Sequence, residues 1–503
     1  MRTSSYVIYV GLREESEYYI LHGYTGAVDA VGPEVIRYLL AHTDPGRTGP
    51  ARDETVIREC VGHAGDREVE SDTIQTLASR GYLTDKAAEA ERAYVEGLAE
   101  LLHKRELTRA RPGFLIVPTY SCNLRCPYCY QAALRRLGKV MTRETADAAF
   151  RCIDLLRDRH HDSTREPADG TIPYMVVGLY GGEPLMRATA RIVRYIVQEG
   201  RGRHLRFSAT TNAVDLDQFL DLLGPDGIRQ IQVTLDGPKD IHDTKRIGPK
   251  YPQGTYETIL RNVGLALERD ASVGIRLHIN WDSVDRAKEL MDDLDARGLL
   301  AHKHLAVYAE TTHSWMRGHA APVPPEMAQS DIHECLRQSC SGLARPLRAT
   351  DHGLVARLER YVRYGLAGIC SSASVCSSQT AMYILDLFGD IYPCWEIVGE
   401  PELKIGEFSA AAPVFNERER AWRGRTPATI PDCATCKYAV LHFGGCPAIP
   451  LRTGGELAAP ACYDYEDAFI SLSRRFFRSA AFRALGNSAT AGAAAATVGA
   501  SPH

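Results

Sequence analysis

Three cysteines, Cys122, Cys126 and Cys129, lie within eight residues of one another with the spacing C-x3-C-x2-C. They directly follow an apolar run at residues 114–117 that is typical of a buried strand. Three thiolates on one short loop can ligate three irons of a 4Fe–4S cluster and leave the fourth iron open to bind a substrate. A zinc knuckle is the alternative, but zinc requires a fourth ligand, and the residues after Cys129 offer none.

A second group of seven cysteines lies between residues 370 and 462. The sequence shows no export signal, so clustered thiols indicate metal ligands rather than disulfides, and we expect a reducing cytoplasmic location. Regular periodicity is weak here, which suggests that metal organises this part of the chain. A pair of zinc ribbons is the alternative to iron–sulfur clusters. The cysteines are Cys370, Cys376, Cys394, Cys433, Cys436, Cys446 and Cys462.

The elements that position the first cysteine loop follow an alternating strand and helix pattern up to about residue 310. Helical spacing of apolar residues recurs between the strands, for example at residues 190–198 and 255–267. Such a series predicts an α/β fold with a parallel sheet, open or curled into a partial (β/α)6 TIM-like barrel. In such folds the catalytic residues lie at the carboxyl ends of the strands. The predicted strands are residues 114–117, 174–179, 205–209, 230–234, 273–279 and 304–308.

Residues 1–108 predict a separate first unit. Two short strands at residues 6–10 and 18–21 precede a helix that begins at Pro33, and a second helix near residues 71–79 ends at Arg80-Gly81 before a short strand. This order suggests a winged-helix-like domain, whose partner is a nucleic acid or a peptide. The alternative is a structural cap on the next domain.

Composition excludes several function classes. The chain has 503 residues, with 59 Lys and Arg against 63 Asp and Glu, and a net charge of −4. This balance gives no basic excess for nucleic-acid binding, so a peptide is the preferred partner of the first unit. The sequence also shows no apolar run long enough to cross a membrane and no signal peptide. After the barrel at 109–310 we expect a helical bridge at 311–369, a cysteine-rich domain at 370–486 and a disordered tail at 487–503.

Four further segments follow the first cysteine loop in order, at residues 180–184, 210–212, 234–243 and 276–280. Together with that loop they resemble the radical S-adenosylmethionine (SAM) enzymes, over about residues 112–310. In that family the open iron chelates SAM, and SAM cleavage gives a 5′-deoxyadenosyl radical that abstracts hydrogen. The resemblance implies a catalytic role for Cys122, Cys126 and Cys129. It also implies SAM-binding roles for residues at the ends of the strands. These are Tyr128, Gly181, Gly182, Glu183, Thr211, Asn212, Thr234 and Arg276.

The second group of cysteines resembles the SPASM extension of these enzymes, which carries two auxiliary 4Fe–4S clusters. By position, the resemblance assigns Cys370, Cys376, Cys394 and Cys446 to the first cluster. It assigns Cys433, Cys436 and Cys462 to the second, where His442 occupies the position of the usual remaining cysteine. Because imidazole can ligate iron–sulfur clusters, the second cluster is Cys3His-ligated, has an open iron, or is absent.

The combined resemblance implies a maturase that forms a thioether or carbon–carbon cross-link in a ribosomally made precursor peptide. Its partners would be that peptide, with a leader bound as an added edge strand, and a flavodoxin- or ferredoxin-type electron donor. One alternative is formylglycine formation, but that branch places an Asp base where Trp395 stands, and Glu396 is the possible substitute. Dehydrogenation of a small molecule and a non-catalytic iron–sulfur or zinc protein are the others.

Overall fold

A computed structural model gives the fold of the chain. It describes residues 1–12, 17–44, 52–61, 68–160, 174–280, 283–311, 329–343, 345, 347–349, 354–365, 368, 373–462, 465–479 and 482. Cys370 and the predicted tail at 487–503 lie outside the described residues. No described helix has the length and apolar character needed to cross a membrane.

The N-terminal unit contains the strands and helices of the first 109 residues. They are β1 Arg2–Thr3, β2 Val7–Leu12, β3 Glu17–His22, β4 Val28–Val31, α1 Pro33–Ala41, α2 Arg52–Val61, α3 Ser71–Ser79, β5 Leu83–Thr84 and α4 Ala88–Arg109.

The central part alternates strands and helices. Its elements are β6 Gly113–Thr119, α5 Arg143–Arg159, β7 Met175–Gly181, α6 Ala190–Gly202, β8 Leu205–Thr211, β9 Ile228–Leu235, α7 Lys239–Lys245, α8 Tyr256–Leu267, β10 Ser272–Ile279, α9 Ala287–Ala296 and β11 Leu305–Thr311.

The remaining elements belong to the bridge and the cysteine-rich part. They are α10 Gln329–Ser339, β12 Arg348–Ala349, α11 Leu354–Tyr364, β13 Met382–Asp386, β14 Asp390–Tyr392, β15 Gly406–Glu407, β16 Val414–Phe415, α12 Glu417–Arg423, α13 Ala439–His442, α14 Ala448–Arg452 and α15 Tyr465–Phe477.

The six strands β6 to β11 pair in sequence order, and all five pairings are parallel. This large parallel sheet confirms the predicted α/β class. Each predicted strand overlaps an observed one, but four of the observed strands extend two or three residues further at the carboxyl end. Polar residues such as Thr119 and Thr211 continue the ladder there, where hydrophobicity no longer marks a strand.

The sheet continues beyond the barrel strands at both edges. On one edge β13 pairs in parallel with β6, so that Tyr383 lies opposite Phe114, and β14 to β16 follow as antiparallel strands. On the other edge β12 pairs with β11. The cysteine-rich part therefore shares a single 11-stranded sheet with the barrel instead of forming a separate layer.

Both faces of the N-terminal sheet are buried, as the two-residue period of a strand allows. Val7 and Tyr9 pack with α1 and α2, whereas Tyr6, Ile8 and Val10 face the opposite way into a second core. That second core also contains α4, α11, α15 and residues 436–443 of the cysteine-rich part. The winged-helix assignment and the alternative of a structural cap both stay predictions; one face of this unit packs against the cysteine-rich part.

Candidate functional site

The loop of Cys122, Cys126 and Cys129 begins three residues after β6 ends. Leu124 anchors it in the barrel core with 1 % of its surface exposed, while the three cysteines are half-buried. Burial, together with smaller contributions from the nearby Glu183, Cys126 and Cys129, raises the pKa of Cys122 to about 12. The fold therefore brings the three thiols together, where a bound cation would stabilise their thiolate forms.

The two glycines after β7 lie directly against the backbone that leads into this loop. The amide of Gly182 donates to the Thr119 carbonyl (3.0 Å), and the next amide, of Glu183, donates to the Ser121 carbonyl (2.8 Å). A β-carbon at position 182 would lie 2.3 Å from the carbonyl oxygens of Tyr120 and Ser121. Gly181 also has a positive φ of 121°. This close approach requires glycine.

Glu183 is fully buried, and its carboxylate accepts three hydrogen bonds from the chain. Thr211 Oγ1 and the Asn212 amide donate at 2.6 Å, and the Leu185 amide donates at 2.8 Å. Burial raises the pKa of Glu183 to about 7 against the effect of these donors. Both carboxylate oxygens are thus engaged in fixing the end of β8.

Asn212 connects this network to the cysteine loop. Its Nδ2 donates to Asn123 Oδ1 (2.7 Å) and lies 3.7 Å from Cys122 Sγ. Of the residues predicted to bind a cofactor, Gly181, Gly182, Glu183, Thr211 and Asn212 therefore form one connected set against the cysteine loop.

Tyr128 is held by a charged cluster at the end of β9. Its hydroxyl donates to Asp236 Oδ2 (2.6 Å), which also accepts from Arg246 Nε (2.9 Å), and His278 Nδ1 lies 3.2 Å from Asp236 Oδ1. Arg246, His278 and the hydrogen bonds hold the pKa of Asp236 well below its usual range despite burial. The sequence analysis missed Arg246 and His278, since only the tertiary structure brings them to Asp236 and so to Tyr128 in the cysteine loop.

Thr234 and Arg276 meet on the neighbouring strands β9 and β10, where they are paired in register. Arg276 donates to Thr234 Oγ1 (3.1 Å), and its Nε is buried with no hydrogen-bond partner among the described residues. A buried donor without a partner is costly, so a polar ligand here would satisfy it. These two residues lie on strands adjacent to Asp236 rather than in the Glu183 network.

Comparison with known proteins identifies the barrel. Residues 116–294 match the family model described as the Radical SAM superfamily. The chain contains a radical SAM domain. The match covers β6 to α9 and includes the cysteine loop, the two glycines and the ends of the strands described above.

Two known proteins share sequence similarity with this chain. An uncharacterized protein of Archaeoglobus fulgidus is 24% identical over 400 residues, which cover 75% of this chain and 85% of that protein. The GTP 3′,8-cyclase of a Synechocystis species is 29% identical over 174 residues, which cover 33% of this chain and 45% of the cyclase.

The fold is also similar to that of a solved structure, native anSMEcpe with bound AdoMet. The TM-score is 0.52 at 15% identity, and the match covers 75% of this chain and 100% of that one. A further structure of the same protein, with bound AdoMet and Cp18Cys peptide, gives the same score. At this identity the similarity concerns the fold.

Three of the four cysteines predicted for a first auxiliary cluster lie near one another beyond the radical SAM domain. Burial raises the pKa of Cys394 well above its usual value, and Cys446 and Cys376 raise it further. Burial likewise raises the pKa of Cys446, and the nearby Cys376 contributes to this increase. The fourth predicted ligand, Cys370, is outside the described residues.

Cys433, Cys436, Cys462 and His442 form the second group. Repulsion from Cys436 and Cys462 adds to burial in raising the pKa of Cys433 to about 12. His442 Nδ1 lies 4.0 Å from Cys462 Sγ, and its ring packs on Tyr465 at 4.0 Å between centroids. Burial lowers the pKa of His442 to about 3, so its imidazole is neutral, which is the form that ligates metals.

Among the described residues, no three His, Cys, Asp or Glu side chains converge closely enough to hold a single metal ion. A 4Fe–4S cluster does not require such convergence, because each thiolate binds a different iron. Thiols that lie close enough to repel one another as thiolates fit a cationic iron–sulfur core, which relieves that repulsion. The donor sets of both cysteine groups therefore fit the clusters that the sequence predicts.

Glu396 lies between the radical SAM domain and the first auxiliary group. Tyr130, next to Cys129, shares a hydrogen bond with Tyr180 at the end of β7, and its hydroxyl also donates to the Trp395 carbonyl (3.3 Å). Glu396 is 7% exposed, and burial raises its pKa, while Arg452 and Arg276 oppose this effect. A buried carboxyl group with a raised pKa, close to two phenols, has the character of a proton acceptor. The sequence analysis did not identify Tyr130 or Tyr180.

Proposed function

We propose that the protein is a radical SAM peptide maturase with auxiliary iron–sulfur clusters. Cys122, Cys126 and Cys129 would hold the first cluster, with SAM at the open iron. When bound, the reduced cluster and SAM supply a 5′-deoxyadenosyl radical that removes a hydrogen atom from the substrate. The observation that carries this proposal is the packing of the Gly181–Gly182 backbone against the cysteine loop, at the carboxyl ends of the parallel strands.

The chain's own residues would bind SAM from three sides. The Glu183, Thr211 and Asn212 network fixes the backbone beside Cys122. Asp236 holds Tyr128 against one side of the loop, and Arg276 presents an unsatisfied Nε from the adjacent strand. Charged and polar groups in these positions suit the amino and carboxylate groups of SAM.

A peptide substrate is supported by the open edge of the N-terminal sheet. The strand β4 pairs with β3, and no other described strand pairs with it. The His22 amide donates to the Ala27 carbonyl, so alternation along the ladder turns the backbone groups of Val28 and Ala30 outward. The Val28 carbonyl accepts from Arg80 Nη2 (3.3 Å), so the amide and carbonyl of Ala30 are the outward groups that a partner strand would meet. The other edge strand, β2, is fully buried. An extended leader peptide would therefore add to β4.

Bond formation in the peptide requires removal of a second electron and a proton. Glu396 would accept the proton, and one auxiliary cluster would accept the electron or hold the substrate. Ligands for the auxiliary clusters would be Cys370, Cys376, Cys394 and Cys446 in one site. In the other they would be Cys433, Cys436, Cys462 and His442. A flavodoxin- or ferredoxin-type donor would reduce the first cluster.

Formylglycine formation is the second candidate, because the fold resembles that of anSMEcpe, for which a peptide-bound structure is known. The residue after Cys394 is Trp395, and it is 39% exposed at the surface. Glu396 is the buried carboxyl group at this place, so either reaction would use Glu396 as the base. A cross-link and the oxidation of Ser to formylglycine both remove two hydrogen atoms, so product mass alone does not distinguish them. Reaction of the product with a hydrazide does, because formylglycine carries an aldehyde and a cross-linked peptide does not.

Anaerobic reconstitution tests the proposal. We expect about twelve irons per chain, and about eight in the Cys122/Cys126/Cys129→Ala variant. Addition of SAM and dithionite should release 5′-deoxyadenosine from the wild type alone. A wild type with about eight irons and a variant with about four would leave the radical SAM site intact and remove the second auxiliary cluster from the proposal. Zinc in place of iron, unchanged in the variant, would contradict the proposal.

A further inference from the structure

Arg425 is a buried arginine that no part of the proposed reaction uses. It follows α12 and has 2% of its surface exposed. Its guanidinium donates four hydrogen bonds of 2.8 Å, and all four acceptors are backbone carbonyls. They belong to Gly444, Gly445, Leu457 and Ala459.

These four carbonyls belong to two loops that serve different auxiliary sites. Gly444 and Gly445 directly precede Cys446, which the resemblance assigns to the first cluster. Leu457 and Ala459 lead to Cys462, which it assigns to the second. The loops also contact each other, because the Ala461 amide donates to the Gly444 carbonyl (2.9 Å) and a β-carbon on Gly445 would lie 2.2 Å from the Ala461 carbonyl.

The positive charge of Arg425 has no carboxylate partner within the described part of the chain. Burial lowers the pKa of Arg425, and the ionisable neighbours that oppose this effect are Cys433, Cys446 and Cys462, which favour the cation in their thiolate form. A buried guanidinium with only neutral acceptors carries a large desolvation cost. The anions able to offset this cost are the thiolates, and the clusters that those thiolates would bind.

We propose that Arg425 is a positioning residue shared by both auxiliary sites. It holds the loops of Cys446 and Cys462 together, and its charge raises the reduction potentials of both clusters. The inference rests on the proposed function, since it requires those clusters. A nearby cation stabilises the reduced, more negative state of a cluster, and net charge is one of the factors that set such potentials. The planar five-donor fork explains why arginine, rather than lysine, reaches both loops.

Two substitutions separate the charge from the hydrogen bonds. Arg425→Lys keeps the positive charge but loses most of the four hydrogen bonds to the loops, whereas Arg425→Met loses both the charge and the hydrogen bonds. The control is Arg345→Met, because Arg345 also donates to backbone carbonyls, those of Leu300 (3.0 Å) and Leu305 (2.5 Å), at the end of the barrel. Reconstituted holoproteins would be titrated by electron paramagnetic resonance, with iron content and thermal midpoint measured alongside.

We expect Arg425→Met to reduce the ratio of reduced to oxidised auxiliary clusters about tenfold at a fixed potential, equivalent to 59 mV for one electron. Arg425→Lys should keep both potentials near the wild-type values while lowering the thermal midpoint. Arg345→Met should lower the thermal midpoint alone. If both Arg425 variants lose auxiliary iron while Arg345→Met retains it, the positioning role is supported.

Unchanged auxiliary potentials in an iron-loaded Arg425→Met protein would overturn the proposed effect of charge. Unchanged iron content and thermal midpoint in both Arg425 variants would overturn the positioning role. These outcomes differ from failure of the proposed function, which shows in the wild type itself. The wild type would then hold zinc in place of iron, or only about four irons, all lost on substitution of Cys122, Cys126 and Cys129, which would remove both auxiliary clusters.

Discussion

Asp53 and Lys437 form an ion pair in which neither side chain is exposed, and the pair joins helix α2 to the loop of Cys433 and Cys436. Asp53 Oδ2 also accepts from the Tyr9 amide (2.9 Å), and the Tyr6 hydroxyl donates to the Ala434 carbonyl (3.0 Å) inside the same loop. The N-terminal unit therefore packs directly against the loop of Cys433 and Cys436, which belongs to the proposed second auxiliary site. Deleting residues 1–108 would uncover that site, so point substitutions are the cleaner test of peptide binding.

Substitution of Lys437 should lower the free energy of unfolding more than substitution of Asp53. In Lys437→Met, Asp53 remains buried near Glu54, which lies 3.7 Å from Lys437, and near Glu466, which accepts from the Asp53 amide. We expect the free energy of unfolding to fall by about 3–5 kcal/mol. Asp53→Asn should cost less, because Glu54 still compensates Lys437. Denaturant titration of the anaerobic holoproteins measures both values.

The double variant Asp53→Asn/Lys437→Met should recover part of the stability that Lys437→Met loses. The control for this series is Arg286→Met, which removes a partly exposed arginine paired with Asp240 and Glu289 and should cost less than about 1 kcal/mol. If Lys437→Met and Arg286→Met lower the free energy of unfolding equally, the buried pair does not contribute more to stability than an exposed one.

Gly182→Ala should abolish the radical SAM cluster. The added β-carbon would clash with the carbonyls of Tyr120 and Ser121, both backbone atoms that cannot move without shifting the cysteine loop. We expect a loss of about four irons per chain and no release of 5′-deoxyadenosine. Gly97→Ala in α4 is the matched control, because no atom lies within 4 Å of its added β-carbon. That control should stabilise the helix by about 0.5–1 kcal/mol; full iron loading of Gly182→Ala would refute the prediction.

Ala30→Pro tests the edge strand β4 as the binding site of a leader peptide. Proline would remove the outward amide of Ala30 and leave the ladder to β3 intact, as proline does on edge strands. Fluorescence anisotropy with labelled candidate precursor peptides measures binding. Affinity should fall at least about tenfold, the equivalent of one lost hydrogen bond.

Iron content and 5′-deoxyadenosine release should stay unchanged in Ala30→Pro, because the substitution lies outside the radical SAM domain. Ala30→Ser keeps the amide and should bind like the wild type. Peptide binding that survives Ala30→Pro would argue that β4 is not the docking edge.

Asp386 predicts a pH dependence of stability at the junction of the barrel and the cysteine-rich part. Its carboxyl group accepts from the Tyr120 hydroxyl (2.9 Å) and from the Phe388 and Asp390 amides, and burial raises its pKa from 3.8 to about 6. Between these values the unfolded chain has released a proton that the folded chain retains. Stability should therefore fall as the pH rises from about 4 to about 6, by about 3 kcal/mol.

Asp386→Asn should remove this pH dependence, since the amide does not titrate and keeps an acceptor for the two turn amides. Denaturant midpoints of the wild type and the variant, compared from pH 4 to pH 7, give the difference. If the difference in stability between the wild type and Asp386→Asn is constant from pH 4 to pH 7, the pKa of Asp386 is the same in the folded and unfolded chains.

The sequence by itself determined the barrel and the types of residue at its site. The C-x3-C-x2-C spacing after a strand, the paired glycines after the next strand, and the polar residues after β8 and β9 are local patterns, so they are readable without a structure. The six strands were predictable for the same reason. Buried parallel strands carry continuous apolar runs, whereas the helices between them carry apolar residues at helical spacing.

Only the tertiary structure decided which groups meet across the chain. Arg246 and His278 reach Asp236 from different elements, and Tyr180 reaches Tyr130 from β7. Asp53 and Lys437 are 384 residues apart, and no periodicity links a helix in one unit to a loop in another. Such contacts depend on how elements pack, and a charged residue that is buried against a distant partner has the same local sequence pattern as one that is exposed to solvent.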